Sequence, residues 1–388
     1  MPPVNGVVDT GEDQRLIAQT VREFAEAEIR PYVRQWDEAQ YFPDELLQRM
    51  GALGLMGVMV PEKYGGAGMG ARELATVIEE LARVDPSVAL SVVAHNGLCI
   101  GHLMIASDED QRQLYLPRLA TGAWIGCWGL TEPLVGSDVA GTQTRAKFDD
   151  SGGKWILNGS KTFNTNGGRA GLAVIHAATT VGRSKQGISA FAVESSIAGY
   201  RVGRKEDKLG MRASATVGLV FEDSALPPES LLGESGGGLV DALKVLDRGR
   251  ISIGALSVGI GQVALDAAVD YVQERRQFGR PIGSFEVIRH KLARMVAEVG
   301  ATRLLVSRAA RLRELGSSFK TAASMAKLYA SEAAMRAAEA AVQIYGGYGY
   351  VKDYPVEKYF RDAKLCTIDE GTSEIQRLVI LRQLIEAI

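Results

Sequence analysis

The spacing of apolar residues changes twice along this chain of 388 residues, and each change limits the fold that it can adopt. From about residue 12 to residue 119, apolar residues recur every three or four positions, which predicts helices with one buried face. The middle third has six short segments rich in β-branched and aromatic residues, at 124–130, 144–148, 155–157, 172–177, 188–193 and 216–221. The helical spacing then returns in four long blocks, 239–274, 285–315, 319–345 and 372–388.

These changes predict an α+β chain of three domains. We expect an N-terminal helical domain over residues 1–122, a middle β-barrel or β-sandwich domain over 123–234, and a C-terminal four-helix bundle over 235–388. The run of Asp, Ser and Gly at 149–153 predicts a hairpin between two strands. Long helical blocks that are joined by short links are typical of an antiparallel bundle. The apolar helix after Pro86 is predicted to be buried, with His95 and Asn96 either bonded in the core or lining a pocket.

Charge and cysteine usage limit the partners and the compartment. The 44 basic and 46 acidic residues give a net charge of -2, so no strong field favours nucleic acid or an anionic membrane. Cys99, Cys127 and Cys366 lack metal-ligand or C-x-x-C spacing, which indicates free thiols in a reducing compartment. The first six residues do not resemble a signal peptide, and no uninterrupted apolar run approaches the roughly 18 residues of a membrane span. We therefore expect a cytoplasmic protein that binds neither nucleic acid nor membrane.

Several common site motifs are missing from the sequence. The four histidines are scattered and none is spaced as a ligand pair, so no metal site is expected. The chain has no G-x-S-x-G elbow, no P-loop and no G-x-G-x-x-G after a strand. Acyl hydrolysis, nucleotide triphosphate chemistry and a Rossmann cofactor site therefore lack support.

A stretch near the C-terminus, residues 367–377, places Glu370 directly before Gly371 and an apolar-periodic helix. A carboxylate at such a junction can be aimed into a cleft and used as a base. The same residues also fit an ordinary helix start, in which Ser373 and Gln376 form an S-x-x-Q capping box. This stretch alone leaves both interpretations open.

Five further blocks stand out in the sequence: residues 130–138, 208–212 with 220–223, 247–250, 275–281 and 343–350. Together with the stretch around Glu370, they resemble the acyl-CoA dehydrogenase family, in the family's order and spacing over nearly the whole chain. The resemblance implies an FAD-dependent flavoprotein of fatty acid metabolism that desaturates an acyl-CoA. The C-terminal half looks most like short-chain, butyryl-CoA-type members. The resemblance further implies a homotetramer, built as a dimer of dimers, that passes electrons to an electron-transfer flavoprotein.

The resemblance also implies which residues bind FAD. In the middle domain they are Trp128, Leu130, Thr131, Gly136, Ser137, Phe163 and Thr165. In the C-terminal domain they are Arg275, Gln277, Phe278, Phe285, Gln343, Ile344, Gly346, Gly347, Thr372 and Glu374. Glycines, hydroxyls and arginines are suited to binding a ring edge or a pyrophosphate. In the family the arginine block and the loop of the two glycines reach the FAD of a neighbouring subunit, which implies an oligomer.

Two departures from the family pattern concern these cofactor residues. Phe163-Asn164-Thr165 stands where the family usually has Trp-Ile-Thr beside the flavin, and the smaller ring can still pack aromatically. Glu286 stands where the family commonly has Gln, and a carboxylate is less suited than an amide to a site near phosphates.

The resemblance assigns catalysis to Glu370, which would remove the α-proton while the β-hydride leaves to flavin N5, giving the trans-2-enoyl-CoA. The Glu370 backbone N–H and a ribityl hydroxyl of FAD would polarise the thioester carbonyl. Ser137, Asp247, Arg250 and Gly371 would contact the substrate. Asp247 and Arg250 lie three positions apart on one helix, so they are also spaced to pair with each other.

Two neighbouring positions affect this assignment. Some relatives carry the base at the position of Gly249, and because glycine cannot serve, the case for Glu370 is stronger. Asp369 stands where the family usually has an aromatic residue. We expect Asp369 to turn away from the cleft and to pair with a cation; if it faces the cleft, a polar or unusual acyl chain is expected.

The expected substrate is a short or branched acyl-CoA, and two alternatives remain. Oxidases and monooxygenases share this architecture and differ in their reactivity with oxygen. Some proteins of the same fold are flavin-bearing DNA-binding proteins, for which a strongly basic surface is needed because phosphate contacts dominate the affinity. The balanced charge of this chain argues against that alternative.

Overall fold

The computed structural model describes residues 11–180 and 187–386. Within these residues helices come first, a sheet follows and helices return, as the apolar spacing predicts. The first six residues, on which the expectation about a signal peptide rests, lie outside the described ranges.

In the described residues, seven α-helices precede the sheet. They are α1 Glu12–Glu28, α2 Val33–Ala39, α3 Asp44–Ala52, α4 Ala71–Ala82, α5 Pro86–Val92, α6 Gly101–Ala106 and α7 Glu109–Ala120. A π-helical stretch, Val93–Ile100, joins α5 to α6, so the apolar residues after Pro86 form one continuous buried rod. Asp85 begins this rod by accepting the Ser87 N–H at 3.1 Å.

His95 and Asn96 are structural residues of this rod rather than the wall of a pocket. His95 Nδ1 accepts the Gly126 N–H at 2.8 Å, so its Nε2–H donates to the Met56 carbonyl at 2.8 Å. Asn96 bonds the Val58 N–H and the Leu55 carbonyl at 3.1 and 3.0 Å. Because both polar side chains are buried and satisfied, they fix the rod to the preceding loop and to the first strand.

The middle of the chain forms one eight-stranded sheet. Its strands are β1 Ile125–Gly129, β2 Arg145–Asp149, β3 Lys154–Thr165, β4 Ala170–Ala178, β5 Ile188–Glu194, β6 Tyr200–Lys205, β7 Thr216–Leu226 and β8 Leu231–Leu232. The strand order is β6-β7-β3-β2-β4-β5-β8, and β1 runs parallel to β4. The predicted hairpin is confirmed, since Asp149 of β2 pairs with Lys154 of β3.

Two features of the sheet differ from the prediction. Strand β6 was missed because its side chains are almost all exposed and it has no apolar alternation; it pairs only with β7 at the edge of the sheet. Strand β3 extends to Thr165, far beyond the predicted 155–157. The residues beyond the predicted segment include Gly159 and Lys161, residue types that are poor in β propensity, so the pairing of β3 with β7 decides its length.

Five helices form the C-terminal part of the chain. They are α8 Gly238–Glu274, α9 Glu286–Glu314, α10 Lys320–Tyr345, α11 Val356–Cys366 and α12 Ser373–Glu386. Four of them match the predicted blocks, whereas α11 was missed because it is short; it buries one face against α8 and α10. The short strands β9 Arg276–Gln277 and β10 Arg280–Pro281 form a hairpin between α8 and α9. Helix α10 buries a row of alanines, which lets α8 approach it closely.

Two helical stretches, Pro86–Ala106 and Gly238–Glu274, are long and apolar enough to cross a membrane. In both, 83% of the most apolar window is buried inside the protein. Burial in the core accounts for this composition.

A buried ionic network joins the three parts of the chain. Lys358 of α11 donates to Asp85 at 2.9 Å and to Asp362 at 2.6 Å, and Asp362 also accepts the Met211 N–H. Burial opposes the charge on Lys358, but Asp362 and Asp85 outweigh it and raise the Lys358 pKa. Because Asp85 belongs to the N-terminal helices and Met211 to the loop before β7, the network fixes α11 against both.

Candidate active site

Glu370 lies in the short loop between α11 and α12, in an uncommon backbone conformation. Its φ is +50°, in the left-handed region, and Gly371 follows with a φ of +97°. Such a conformation is costly for a residue with a side chain, so the surrounding contacts must hold it. The Glu370 side chain is directed inwards and only 7% of the residue is exposed.

The loop is held by side chains from two helices. Gln376 of α12 donates to the Gly371 carbonyl at 2.9 Å and to the Glu370 carbonyl at 3.3 Å. The fully buried Lys327 of α10 donates to the Gly371 carbonyl at 2.7 Å. These three hydrogen bonds, one from an ammonium group and two from a side-chain amide, hold two adjacent carbonyls and so fix the path of the main chain at Glu370.

The predicted capping box at the start of α12 is wrong. Thr372 precedes the helix, and its hydroxyl accepts the Ile375 N–H at 3.4 Å. Ser373 is already the first helical residue, and its hydroxyl has no hydrogen-bond partner in the described chain. Gln376 cannot complete a box because its amide holds the loop carbonyls instead.

The Glu370 carboxylate lies directly against Gly249 of α8. A Cβ added at Gly249 would lie 1.8 Å from Glu370 Oε2, so only glycine leaves room for this carboxylate. Both carboxylate oxygens are buried and lack a hydrogen-bond partner among the described residues. Burial raises the Glu370 pKa well above its usual range, Asp369 raises it further, and Lys327 and Arg250 act in the opposite direction. A buried carboxylate without a bonded partner is available to accept a proton from a ligand in the cleft.

Asp369 does not pair with a cation of the described residues, so the expectation of such a pair is wrong. Its Oδ1 accepts the Glu370 N–H at 2.9 Å. Lys327, the cation that lowers the Asp369 pKa, donates instead to the Gly371 carbonyl. Burial is the larger effect and raises the Asp369 pKa.

Asp247 and Arg250 form the intrahelical pair that their spacing predicts. Arg250 Nη1 donates to Asp247 Oδ1 at 2.6 Å and to Ser324 Oγ at 3.1 Å. Arg250 is buried, and its Nε has no partner within the described ranges. The pair lies on α8 beside Gly249, so both residues border the Glu370 site; their contact with substrate stays a prediction.

The predicted flavin-binding segment after β1 is built around a buried ion pair that sequence reasoning did not identify. Lys161 of β3 donates to Glu132 at 2.7 Å and to the Leu130 carbonyl at 3.1 Å. Glu132 also accepts the N–H groups of Gln143 and Thr144 at 2.7 and 3.0 Å. The pair therefore closes the loop from residue 130 to residue 144. The only sign of this ion pair in the sequence is a lone lysine among strand residues, and a lysine there suggests an exposed position.

Two predicted cofactor residues, Thr131 and Phe163, lie on facing stretches of this region. The Thr131 carbonyl accepts the Thr162 N–H at 2.9 Å, which brings Thr131 beside the end of β3. A register shift between Lys161 and Asn164 gives Phe163 a φ of +56° and leaves it 65% exposed. Asn164 points inwards and donates to the Val217 carbonyl at 3.0 Å. The departures at residues 163 and 164 thus produce an exposed aromatic ring and a bonded core amide.

Trp128 packs against two histidines that the sequence did not connect with it. Its ring centroid lies 4.8 Å from that of His176, and its indole N–H donates to His102 Nδ1 at 3.4 Å. Burial lowers the His102 pKa to about 4, so this ring is neutral near pH 7. The histidines support the strand beneath the predicted flavin position.

The remaining predicted residues of this segment differ in exposure. Gly136 and Ser137 are exposed on the loop that the ion pair closes, Thr165 is half-buried, and Leu130 is buried. Space is open at Gly136, since a Cβ there would meet nothing within 4 Å.

A second group of predicted cofactor residues lines one cleft around the end of α8. Arg275, Gln277, Ile344, Gly346 and Gly347 contribute to it, together with Tyr271, Tyr345 and Tyr348. The Arg275 guanidinium lies 5.2 Å from the centre of the Tyr348 ring. Gln343 is exposed on the last turn of α10, beside this cleft.

Phe278 and Phe285 extend this second group. Phe278 is at the tip of the β9–β10 hairpin, with a φ of +52°, and it is 91% exposed. Its ring centroid lies 6.0 Å from that of Phe285. Glu286, which follows Phe285, is exposed and lies 3.6 Å from His290.

The Glu370 site and this second group lie far apart along α8. Gly249, which contacts Glu370, and Arg275, which follows the last residue of α8, are 26 positions apart, or about 39 Å along the helix. Thr372 and the exposed Glu374 belong to the Glu370 end. A single chain therefore does not bring all the predicted cofactor residues together.

The three cysteines do not add chemistry to either group. All three are free and buried, and burial raises the pKa of Cys127 and of Cys366 to about 12. Residues 11–180 and 187–386 contain no group of three or more His, Cys, Asp or Glu arranged to hold a metal ion.

Three family models match consecutive parts of the chain. Acyl-CoA dehydrogenase, N-terminal domain, matches residues 11–123; the middle domain matches 127–224; and the C-terminal domain matches 236–385. The short-chain specific acyl-CoA dehydrogenase of Clostridium acetobutylicum is 44% identical over 368 residues, which is 95% of this chain and 97% of that protein.

Solved structures agree with the family models. Butyryl-CoA dehydrogenase from Megasphaera elsdenii has a TM-score of 0.95 at 39% identity, covering 97% of this chain and 99% of that one. A chain of the structure described as "Electron transferring flavoprotein of Acidaminococcus fermentans" has a TM-score of 0.95 at 42% identity, covering 97% and 98%. With a buried, unpartnered glutamate at the position that the resemblance indicated, the chain belongs to the acyl-CoA dehydrogenase family of flavoprotein oxidoreductases.

Proposed function

We propose that this protein converts a short or branched acyl-CoA to its trans-2-enoyl-CoA, with Glu370 as the base that removes the α-proton. The observation that carries the proposal is the Glu370 carboxylate, whose two oxygens are buried and unpartnered against Gly249. The similarity to the short-chain specific enzyme and to butyryl-CoA dehydrogenase supports a short acyl chain.

The cofactor of the family is FAD, and the residues present fit it. Gly136, Gly346 and Gly347 leave open space where a Cβ would stand, which suits the close approach of a dinucleotide. Phe163 offers an exposed aromatic face, and Arg275 offers a guanidinium in the cleft at the other end of α8. These residues, with Thr131, Ser137 and Thr165, would hold FAD, which supplies a hydride acceptor when it is bound.

Glu370 takes the proton from the α-carbon and becomes a neutral acid, while the β-carbon loses a hydride. Because burial already favours the neutral carboxyl, proton acceptance relieves the cost of a buried charge. The Glu370 N–H donates to the thioester carbonyl and stabilises the charge that develops on its oxygen. The bonds from Gln376 and Lys327 keep the loop in place during this change.

The separation of the Glu370 site from the cleft at Arg275 supports a homo-oligomer. FAD is shorter than the roughly 39 Å along α8 from Gly249 to Arg275, so one molecule of FAD meets the predicted residues at both places only if a second copy supplies one set. Phe278, almost fully exposed at a hairpin tip, would be buried by such a copy. We assign the assembly as a homotetramer, a dimer of dimers.

The electron acceptor and the compartment belong to the same proposal. The similarity to a chain of the Acidaminococcus fermentans electron transferring flavoprotein structure supports an electron-transfer flavoprotein as the acceptor. The buried free thiols favour a reducing compartment, and we assign the protein to the cytoplasm.

The proposal is tested by anaerobic titration of the purified holoenzyme with straight, branched and dicarboxylic acyl-CoAs. The flavin's visible absorbance is followed. We expect one short or branched class to bleach the parent, and the Glu370→Gln variant to remain unbleached. Glu339→Gln, which alters an exposed carboxylate on α10, is the matched control and should behave as the parent.

Two results would contradict the proposal. If no acyl-CoA bleaches the parent, desaturation is not its reaction. If acyl-CoA bleaches Glu370→Gln as rapidly as the parent, the base is another group. Rapid reoxidation of the bleached parent in air would identify an oxidase instead of a dehydrogenase.

A further inference from the structure

The amide of Glu370 already has a hydrogen-bond partner in this structure. Its N–H donates to Asp369 Oδ1 at 2.9 Å, the carboxylate of the residue directly before it. The carbonyls of Glu370 and Gly371 are held by Gln376 and Lys327, so the amide is the one group of this loop that depends on Asp369. Asp369 therefore holds the N–H of Glu370 and Gln376 holds its carbonyl, and together they fix its left-handed conformation.

This partner follows from the residue type at position 369. An aspartate side chain is short enough to reach the next amide and presents an acceptor oxygen there. An aromatic side chain, which the family resemblance leads one to expect at this position, has no acceptor that close to the main chain. The contact is therefore a property of this sequence.

The same amide is the donor that the proposed function assigns to the thioester carbonyl. One N–H makes one strong hydrogen bond, so Asp369 and a substrate carbonyl compete for it. A carboxylate is the stronger acceptor of the two because its hydrogen bond is charge-assisted. Substrate therefore binds at full strength only when Asp369 gives up the amide.

We propose that Asp369 is a positioning residue that holds the Glu370 amide in the absence of substrate and yields it to the thioester carbonyl when substrate binds. This inference rests on the proposed function. The exchange keeps a strong donor in a buried loop satisfied at every stage, since a buried unpaired amide is costly. It also makes the site selective for ligands with a carbonyl that can replace a carboxylate oxygen.

The test compares two CoA ligands that differ in this carbonyl. Acetoacetyl-CoA carries the thioester carbonyl, whereas a butyl-CoA thioether has the same CoA and no carbonyl. The affinity of each ligand for the holoenzyme is measured from the change in flavin absorbance. Asp369→Asn keeps an acceptor oxygen without the charge, and Asp369→Ala removes the acceptor.

We expect Asp369→Ala to bind acetoacetyl-CoA about tenfold more tightly than the parent, and Asp369→Asn to lie between them. The thioether does not use the amide, so its affinity should change only by the general effect of removing a negative charge. The thioether thus corrects for any general effect of removing a negative charge beside an anionic ligand.

Three results would overturn the exchange. If alanine leaves the ratio of the two affinities unchanged, Asp369 does not compete for the amide. If alanine weakens both ligands while flavin content is preserved, Asp369 only supports the loop. If acyl-CoA bleaches the parent but acetoacetyl-CoA does not bind to it, the exchange is wrong and the proposed function stands. If the parent responds to no CoA ligand, the proposed function is wrong as well.

Discussion

At the scale of single residues, the features that leave the Glu370 carboxylate free to act as a base also destabilise the fold. Its backbone is left-handed, its carboxylate is buried without a partner, and the helix beside it carries glycine where other residues favour helix more. Each of these features destabilises the fold, and each leaves the carboxylate accessible to a ligand. Two predictions follow at this scale.

The first prediction concerns Gly249. In Gly249→Ala the new methyl cannot share the space of Glu370 Oε2, which would be 1.8 Å away, so the carboxylate must move. We expect kcat/KM for acyl-CoA to fall by about 100-fold or more, since small misplacements of reacting groups cost rates of that order. Steady-state kinetics on variants matched for flavin content measure this effect.

The control for Gly249 is Gly300, a glycine inside α9. A Cβ at Gly300 would meet nothing within 4 Å. Gly300→Ala should therefore keep full activity and raise the free energy of unfolding by about 0.5–1 kcal/mol, because alanine favours helix over glycine. Full activity in Gly249→Ala would contradict the placement of Glu370.

The second prediction concerns pH and the stability of the Glu370 site. Folding raises the Glu370 pKa, so the native state binds this proton more tightly than the unfolded chain does. The free energy of unfolding therefore falls as pH rises from the Glu370 pKa of the unfolded chain to that of the native protein. Glu370→Gln removes the cost of the buried charge. We expect the variant to exceed the parent in unfolding free energy by about 1 kcal/mol or more at pH 8, and by little at pH 4.

Urea denaturation at the two pH values measures this difference. The groups that face Glu370 are Asp369, Lys327 and Arg250, and all three are retained in the variant. An advantage of the variant that grows towards acid pH would show that the sign is wrong.

At the scale of elements, strand β3 depends on one buried charge. Lys161 lies in its centre, and the strand forms because Glu132 and the Leu130 carbonyl satisfy the ammonium group. Burial lowers the Lys161 pKa to about 8, while Glu132 opposes this effect. The ion pair couples the strand to the loop that carries Gly136 and Ser137.

The third prediction is that Lys161→Met loses about 3–5 kcal/mol of unfolding free energy, because Glu132 is then buried without its counter-charge. We also expect weaker retention of flavin, as the loop loses its anchor. The control is Arg201→Met, which removes an exposed pair with Glu222, whose side chains are 60% and 59% accessible. That variant should change stability by about 0.5 kcal/mol at most. Equal losses in the two variants would show that the buried pair has no special role.

At the scale of the whole molecule, α8 separates the Glu370 site from the predicted cofactor residues around Arg275, and this separation supports the proposed oligomer. Gly249, in the first half of the helix, contacts Glu370, and the last turn leads to Arg275 and the hairpin with Phe278 at its tip. Helix α12 also leaves apolar side chains exposed, among them Leu381 and Leu384.

The fourth prediction is that Phe278→Asp both reduces the assembly and releases FAD, because the partner would bury a charge beside the cofactor. Size-exclusion chromatography with light scattering gives the mass, and the ratio of visible to ultraviolet absorbance gives the flavin content. Leu16→Asp alters another exposed apolar residue, on α1, and should change neither quantity. An unchanged mass with full flavin in Phe278→Asp would contradict the shared site.

The sequence by itself determined the order of helices and strands, the β2–β3 hairpin, the buried helix after Pro86 and four of the five C-terminal helices. Local periodicity carries this information, because a face that must be buried imposes its spacing on the chain. The motif blocks also indicated the family, which the comparisons confirm.

Only the tertiary structure decided the edge strand β6, the short helix α11 and the full length of β3, since pairing and docking stabilise these elements more than their own residues do. It also decided that Glu370 rests on Gly249, that Asp369 bonds the Glu370 amide instead of a cation, and that Lys161 is buried on Glu132. Local sequence patterns do not predict these contacts. The burial of each residue and its bonding partner depend on which distant parts of the chain pack beside it.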